Sequence, residues 1–249
     1  QRRICALIKI FRYECQRLLW NKFFFGLLLV LLFYGWQVLN QVTLLGVAHT
    51  APFSPWSFGD YLSRMTPLLW LGTLFFLTFF TSGPARRCAV LTGATPVSEQ
   101  AYALARCAAA LAGTALLAAS SVMEAAAFYS WYFGWHAWGS LLFPAMVTLL
   151  PPLALALASG WLLGEIRPWL LYAWMAAPFV CRALPLPAAL GMWNGSFFTQ
   201  YPLTCTALDP AFALPAPVAA AQGAVLVLAV GFLLCGPRLR ARNGAARPR

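Results

Sequence analysis

The stretch FFFGLLLVLLFYGWQVLNQVTLLGV, residues 23 to 47, contains no charged side chain. A helix needs about 20 predominantly apolar residues to cross the hydrocarbon core of a bilayer, so this run is long enough to span with some tilt. The rest of the chain agrees with that solvent. Of 249 residues, 61% are hydrophobic and 9% are charged, whereas soluble domains carry roughly 25% charged residues. A water-facing shell cannot be assembled from so few ions. The class is therefore an all-α membrane protein.

Working toward the N-terminus, Ile4, Leu7, Ile8, Phe11, Cys15, Leu18 and Leu19 recur at helical spacing, with Arg2, Arg3, Lys9, Arg12, Arg17 and Lys22 around them. A basic amphipathic helix of this kind lies in the membrane interface. A plain cytoplasmic extension of the first span is the alternative, and in either case the chain bends near Asn21.

Working toward the C-terminus, hydropathy and breaker residues predict five further spans. They run over about 65–83, 102–127, 139–163, 169–186 and 215–236. The polar stretch 48–64 is expected as a connection, and Phe128 to Trp138 as an aromatic girdle at the headgroups. Residues 187–214 are apolar but too broken by Gly and Pro to span, so they are expected to dip into the interface or pack on the bundle. The last residues, GPRLRARNGAARPR, read as a disordered basic tail. The organisation expected is thus an amphipathic interfacial helix (1–22), a six-span transmembrane domain (23–236) and a basic cytoplasmic tail (237–249).

Charge tests that layout. With six spans, the N-terminal region, the 85–106 segment, the 164–168 turn and the tail share one side and hold fifteen of the 17 Lys and Arg. Only Arg64 and Arg182 fall opposite. Positive charge marks the cytoplasmic face, so both termini are placed there. The net charge of +11 is accounted for by this placement, and no nucleic-acid partner is read from it. The first apolar run is too long for a cleavable signal peptide. Seven cysteines show no ligand spacing. Cys181 and Cys205, both toward the outer side, either pair or serve as small apolar residues, the latter being favoured.

Signatures of enzymes are missing from the sequence. It contains no GxxxxGK[ST], HExxH or GxSxG pattern, and His49 and His136 stand in separate outer connections. No catalytic, metal or cofactor-binding residue is assigned. Glu124, late in the third expected span, is either part of a substrate path or a group near the outer headgroups, where an ion costs less than at mid-membrane. The connection ARRCAVLTGATPVSEQA, 85–101, joins Arg86 and Arg87 to an apolar triplet that includes Val90 and Leu91. The break at Gly93 follows, then Thr95, Pro96 and Val97, and Ser98 as an expected N-cap before Glu99. This reads as a short amphipathic element held between two spans and suited to docking on a cytoplasmic partner, or else as an ordinary polar turn.

On these residues the chain resembles the permease subunits of type-2 ABC exporters. The stretch ARRCAVLTGATPVSEQAYALAR is similar to that family's loop between spans two and three, through Arg86 or Arg87, Leu91, Thr95, Pro96, Val97, Ser98, Tyr102 and Arg106. The N-terminal FRYECQRLLWNKFFF is similar to its elbow helix, with Phe11, Glu14, Arg17 and Leu18 in the matching part. One departure is Arg-Arg-Cys-Ala in place of an acidic, Arg-Glu-rich run.

The resemblance implies an ABC nucleotide-binding subunit docked on 85–101 and on 164–168, with ATP and Mg held by that partner and no ATPase site here. It also implies a second permease chain, identical or paralogous, and a setting in the cell inner membrane. The cargo would be amphiphilic, lipid-like or peptide. A channel or scaffold without an ATPase partner is the first rival. A membrane-embedded lipid enzyme is the second, and Glu124, Asp60, Arg64 and Asp209 are its only candidate residues.

Overall fold

The structure is a computed structural model that describes residues 2–47, 49–81 and 99–245. Every regular element among them is helical. Bilayer hydrocarbon offers backbone amides no partner, and a helix satisfies them within the segment. The chain runs through α1 (Arg2–Leu19), α2 (Lys22–Gln41), α3 (Pro55–Thr81), α4 (Glu99–Phe133) and α5 (Gly139–Ile166). It continues with α6 (Trp169–Met175), α7 (Ala177–Ala183), α8 (Gly191–Asn194), α9 (Ser196–Gln200) and α10 (Ala216–Ala245). Five helices are long and apolar enough to cross a membrane: α2 with its 3-10 extension to Leu45, α3, α4, α5 and α10. The chain is a membrane protein.

Helix α3 is the axis of the bundle. Trp56, Phe58, Tyr61, Leu62, Met65, Leu69, Leu74 and Leu77 on it are fully buried, and α5 packs along it most extensively. Its polar residues are satisfied locally. Thr66, Thr73 and Thr81 donate to the carbonyls of Leu62, Leu69 and Leu77, and Thr114 on α4 donates to Thr73 Oγ1 at 3.1 Å. Helices α2 and α10 are mostly uncovered, with Leu29, Phe33, Val227, Val230 and Leu234 facing outward. Such faces suit lipid.

The two ends of the bundle differ. At one, Arg106 of α4 lies against Phe80 of α3, and Gly164 of α5 abuts Thr81. At the other, Phe53 meets Phe133 and Trp135, and Trp56 donates to the carbonyl of Pro210. There Asp209 N–H also reaches the carbonyl of His49. Basic residues of α1 belong to the first end, the aromatic girdle to the second.

Several expected boundaries shift. Helix α3 starts at Pro55 and not near 65, because Ser54 caps it, its Oγ accepting the Ser57 N–H at 3.2 Å. Proline is favoured at the first helical position, and Asp60 and Arg64 then sit within the helix as an ion pair. Helix α4 runs on to Phe133, through half of the expected girdle. Residues 237–245, expected as part of a disordered tail, continue α10 as helix; Arg, Leu and Ala are good helix formers.

The segment expected as a fifth span is two seven-residue helices, α6 and α7. Pro178 has no N–H to donate, so the ladder breaks there. The pair still runs along α3. Leu171 lies against Gly164 at the basic end, Trp174 accepts from Trp70 Nε1 at 3.2 Å, and Arg182 reaches the carbonyl of Ser63 near the aromatic end.

Residues 187–214 pack on the bundle as short pieces. Met192, Phe197 and Phe198 close over Trp56. Phe198 is fully buried against the backbone of Gly59, where a Cβ would overlap its ring. Gly59→Ala is expected to lower stability by about 1–3 kcal/mol through overpacking. A thermal melt followed by tryptophan fluorescence checks it, and an unchanged midpoint would show this contact to be loose.

Candidate functional site

Helix α1 turns most of its apolar stripe to the bundle, with an acid set into it. Ile8 points outward, while Phe11, Cys15, Leu18 and Leu19 face the bundle, with Leu18 seated over Gly113 of α4. In the middle of the inward face stands Glu14, with no exposed surface. The bend to α2 falls at Asn21, whose Oδ1 accepts the Phe23 N–H at 3.2 Å.

Glu14 is held by residues from the helix that follows the 82–98 connection. Its Oε1 accepts the Tyr102 hydroxyl at 2.8 Å and Arg106 Nε at 3.4 Å, and its Oε2 lies 3.6 Å from Arg17 Nη1. Arg106 in turn donates from Nη2 to the Tyr102 oxygen at 3.0 Å. The guanidinium is sandwiched, its Cζ 4.2 Å from the Tyr102 ring centroid and 5.8 Å from that of Phe80. Arg106 is itself 7% exposed. Burial of a carboxylate is tolerable only with a paired cation and hydrogen bonds, and this arrangement supplies both. Beside it, burial first and the Glu14 charge second hold the Cys15 thiol above its ordinary pKa.

The structure thus joins four of the residues singled out from sequence: Glu14 and Arg17 of the elbow-like segment, and Tyr102 and Arg106 after the loop. Phe11 and Leu18 pack beside them. The remaining docking residues, Arg86, Arg87, Val90, Leu91, Thr95, Pro96, Val97 and Ser98, lie outside the described residues, and Glu99 enters only as the first backbone position of α4.

At the aromatic end, Glu124 on α4 is half-buried at the junction with α2 and α3. Its Oε2 accepts the Tyr61 hydroxyl at 3.2 Å. Gly35 of α2 lets the carboxylate approach, since any Cβ there would collide with it. Asp60 and Arg64 form a separate pair at 2.7 Å, and Asp209 stands in the connection before α10. The four acidic and basic candidates of the lipid-enzyme reading therefore occupy three places. Among the described residues no three of His, Cys, Asp and Glu are grouped to hold a metal, and Cys181 and Cys205 are free thiols.

A cavity of about 330 Å³ opens at the same end between α9 and the start of α10, lined by Ala188, Phe197, Gln200, Tyr201, Pro217 and Val218 among others. Sequence alone carried no sign of it, because it arises from how the broken segment folds back. Arg182 over Ser63 was equally hidden.

Removing one member of a buried pair strands the other, at a cost of about 3–5 kcal/mol. Glu14→Gln and Arg106→Gln are each expected to lose about 3 kcal/mol. The double variant should lose less than their sum, by ~1 kcal/mol or more. Denaturant titration of the detergent-solubilised chain measures the cycle, and strict additivity would mean that the two groups act independently.

No family profile, curated protein or solved structure matches this chain.

Proposed function

We propose that this chain is the membrane-spanning subunit of an ATP-driven exporter. It would couple a separate nucleotide-binding subunit to the movement of an amphiphilic, lipid-like or peptide substrate. The observation that carries the reading is the fastening of α1 to the start of α4 through Glu14, Tyr102 and Arg106. A helix beside the membrane and the helix that leaves the 82–98 connection then move as one. A partner that displaces that connection displaces both. This is the mechanical linkage that a motor-driven permease requires, and a simple pore has no use for it.

Six crossings complete the reading. The α6–α7 pair supplies the fifth as a broken crossing, supported by its run along α3 from Gly164 to Ser63. Both ends of the chain then lie on the cytoplasmic side, as the distribution of arginines favours. Helix α1 serves as the interfacial elbow, a reading supported by the exposure of Tyr13 and Trp20, residue types that favour the headgroup level. ATP and Mg belong to the partner, and a second permease chain completes the path. The setting is the cell inner membrane.

Mechanically, ATP draws two motor subunits together and the docked loops follow. Each permease then exchanges an inward for an outward opening. A ligand shifts such an equilibrium only through different affinity for its two states, so the loop must meet the motor differently in each.

The test is direct. A Val90→Cys chain, expressed at native level and extracted in mild detergent, is crosslinked and its partners are sequenced by mass spectrometry. An ATPase carrying a phosphate-binding loop is expected at position 90. Repeated recovery of the chain without any ATPase would favour a motor-free channel or scaffold.

A further inference from the structure

Arg64 and Arg182 are the two cations on the outer side of the layout, and they are neighbours. Arg182, half-buried on α7, has Arg64, Asp60 and the Tyr34 hydroxyl of α2 as its charged and titratable surroundings. One carboxylate therefore stands near two guanidiniums, and it is already engaged. Asp60 Oδ2 accepts Arg64 Nε at 2.7 Å, with the Asp60 side chain only 2% exposed. The other oxygen lies near Gly195. That residue adopts φ +85°, and a Cβ there would lie 3.1 Å from Oδ1. Glu124 is turned to Tyr61. What remains for Arg182 is a main-chain oxygen, Ser63 O, at 3.3 Å from Nη1.

A carbonyl orients a guanidinium without neutralising it. An ion at membrane depth is costly unless paired, and Arg offers five donors in a planar fork suited to phosphate or carboxylate. Among the described residues, only Nη1 of Arg182 has a hydrogen-bond partner. The Ser63 contact places Arg182 toward the aromatic end of the bundle, where Tyr34 of α2 is exposed.

We propose that Arg182, together with Arg64 and Tyr34, binds the anionic head, phosphate or carboxylate, of an amphiphile whose tail lies in the outer leaflet. In the exporter reading, on which this step rests, that amphiphile is the cargo, so the transported class is anionic. The binding itself needs no motor.

The full chain is therefore tested alone, in nanodiscs of mixed phosphatidylcholine and phosphatidylglycerol, with retained lipids counted by native mass spectrometry. Wild type is expected to hold one more phosphatidylglycerol than Arg182→Gln, and Arg182→Lys to retain it. Tyr34→Phe leaves the Asp60–Arg64 pair untouched, and should weaken retention about threefold even where Arg182→Gln fails to fold. Equal retention by wild type and both neutral variants would overturn the proposal. Displacement of the lipid by millimolar inorganic phosphate would identify a free anion as the ligand and overturn the amphiphile assignment. Loss of lipid binding beside an intact ATPase complex refutes this inference alone, whereas binding without any ATPase refutes only the exporter.

Discussion

Hydrocarbon cannot hydrogen-bond, and that constraint sets everything else in this molecule. Backbone groups are forced into helices, charges are forced to the two ends, and any ion left inside must be matched by a neighbouring helix. Helix α3 shows the consequence most clearly. It is buried nearly all round, so its threonines return their hydroxyls to carbonyls of their own helix, and Thr73 also accepts from Thr114. Its one acid, Asp60, finds its cation a single turn away.

Because α3 is central, the ionic groups at each end are organised around it. At the basic end its Phe80 roofs the Arg106 guanidinium that holds Glu14. At the aromatic end its Asp60, Tyr61 and Ser63 engage Arg64, Glu124 and Arg182. In the first cluster one carboxylate oxygen takes two hydrogen bonds, from Tyr102 and Arg106, and Arg17 stands 3.6 Å from the other. The second has a guanidinium to spare. A closed cluster transmits displacement, since its members cannot part without stranding a charge; an open one is available to a ligand.

The helical class, the bend at Asn21 and the broken character of 187–214 were legible because each rests on local composition or spacing. Boundaries were less so. The start of α3 at Pro55 was signalled by Ser54 and Pro55, but the polar residues that follow masked it, and Asp60 and Arg64 look like loop residues until they are seen one helical turn apart. Periodicity also misread α1. It treats every inward position as apolar, so Glu14 reads as part of the charged side when it is the residue most deeply held. The partner that reverses the reading, Arg106, lies far along the chain, and no window on one helix contains both. The same distance separates Arg182 from Ser63.

Glu14 also bears on why α1 is attached as it is. Apolar contact alone, Leu18 over Gly113 with Phe11 and Cys15 beside it, would allow the helix to slide along α4, because such packing is weakly directional. A carboxylate that must meet the Tyr102 hydroxyl and the Arg106 fork permits one register. Arg17 joins the same acid from the exposed side, so the solvent-facing basic surface of α1 is connected to the buried pair through a single residue. In the proposed exporter, a displacement passed to the start of α4 would reach α1 through this pair.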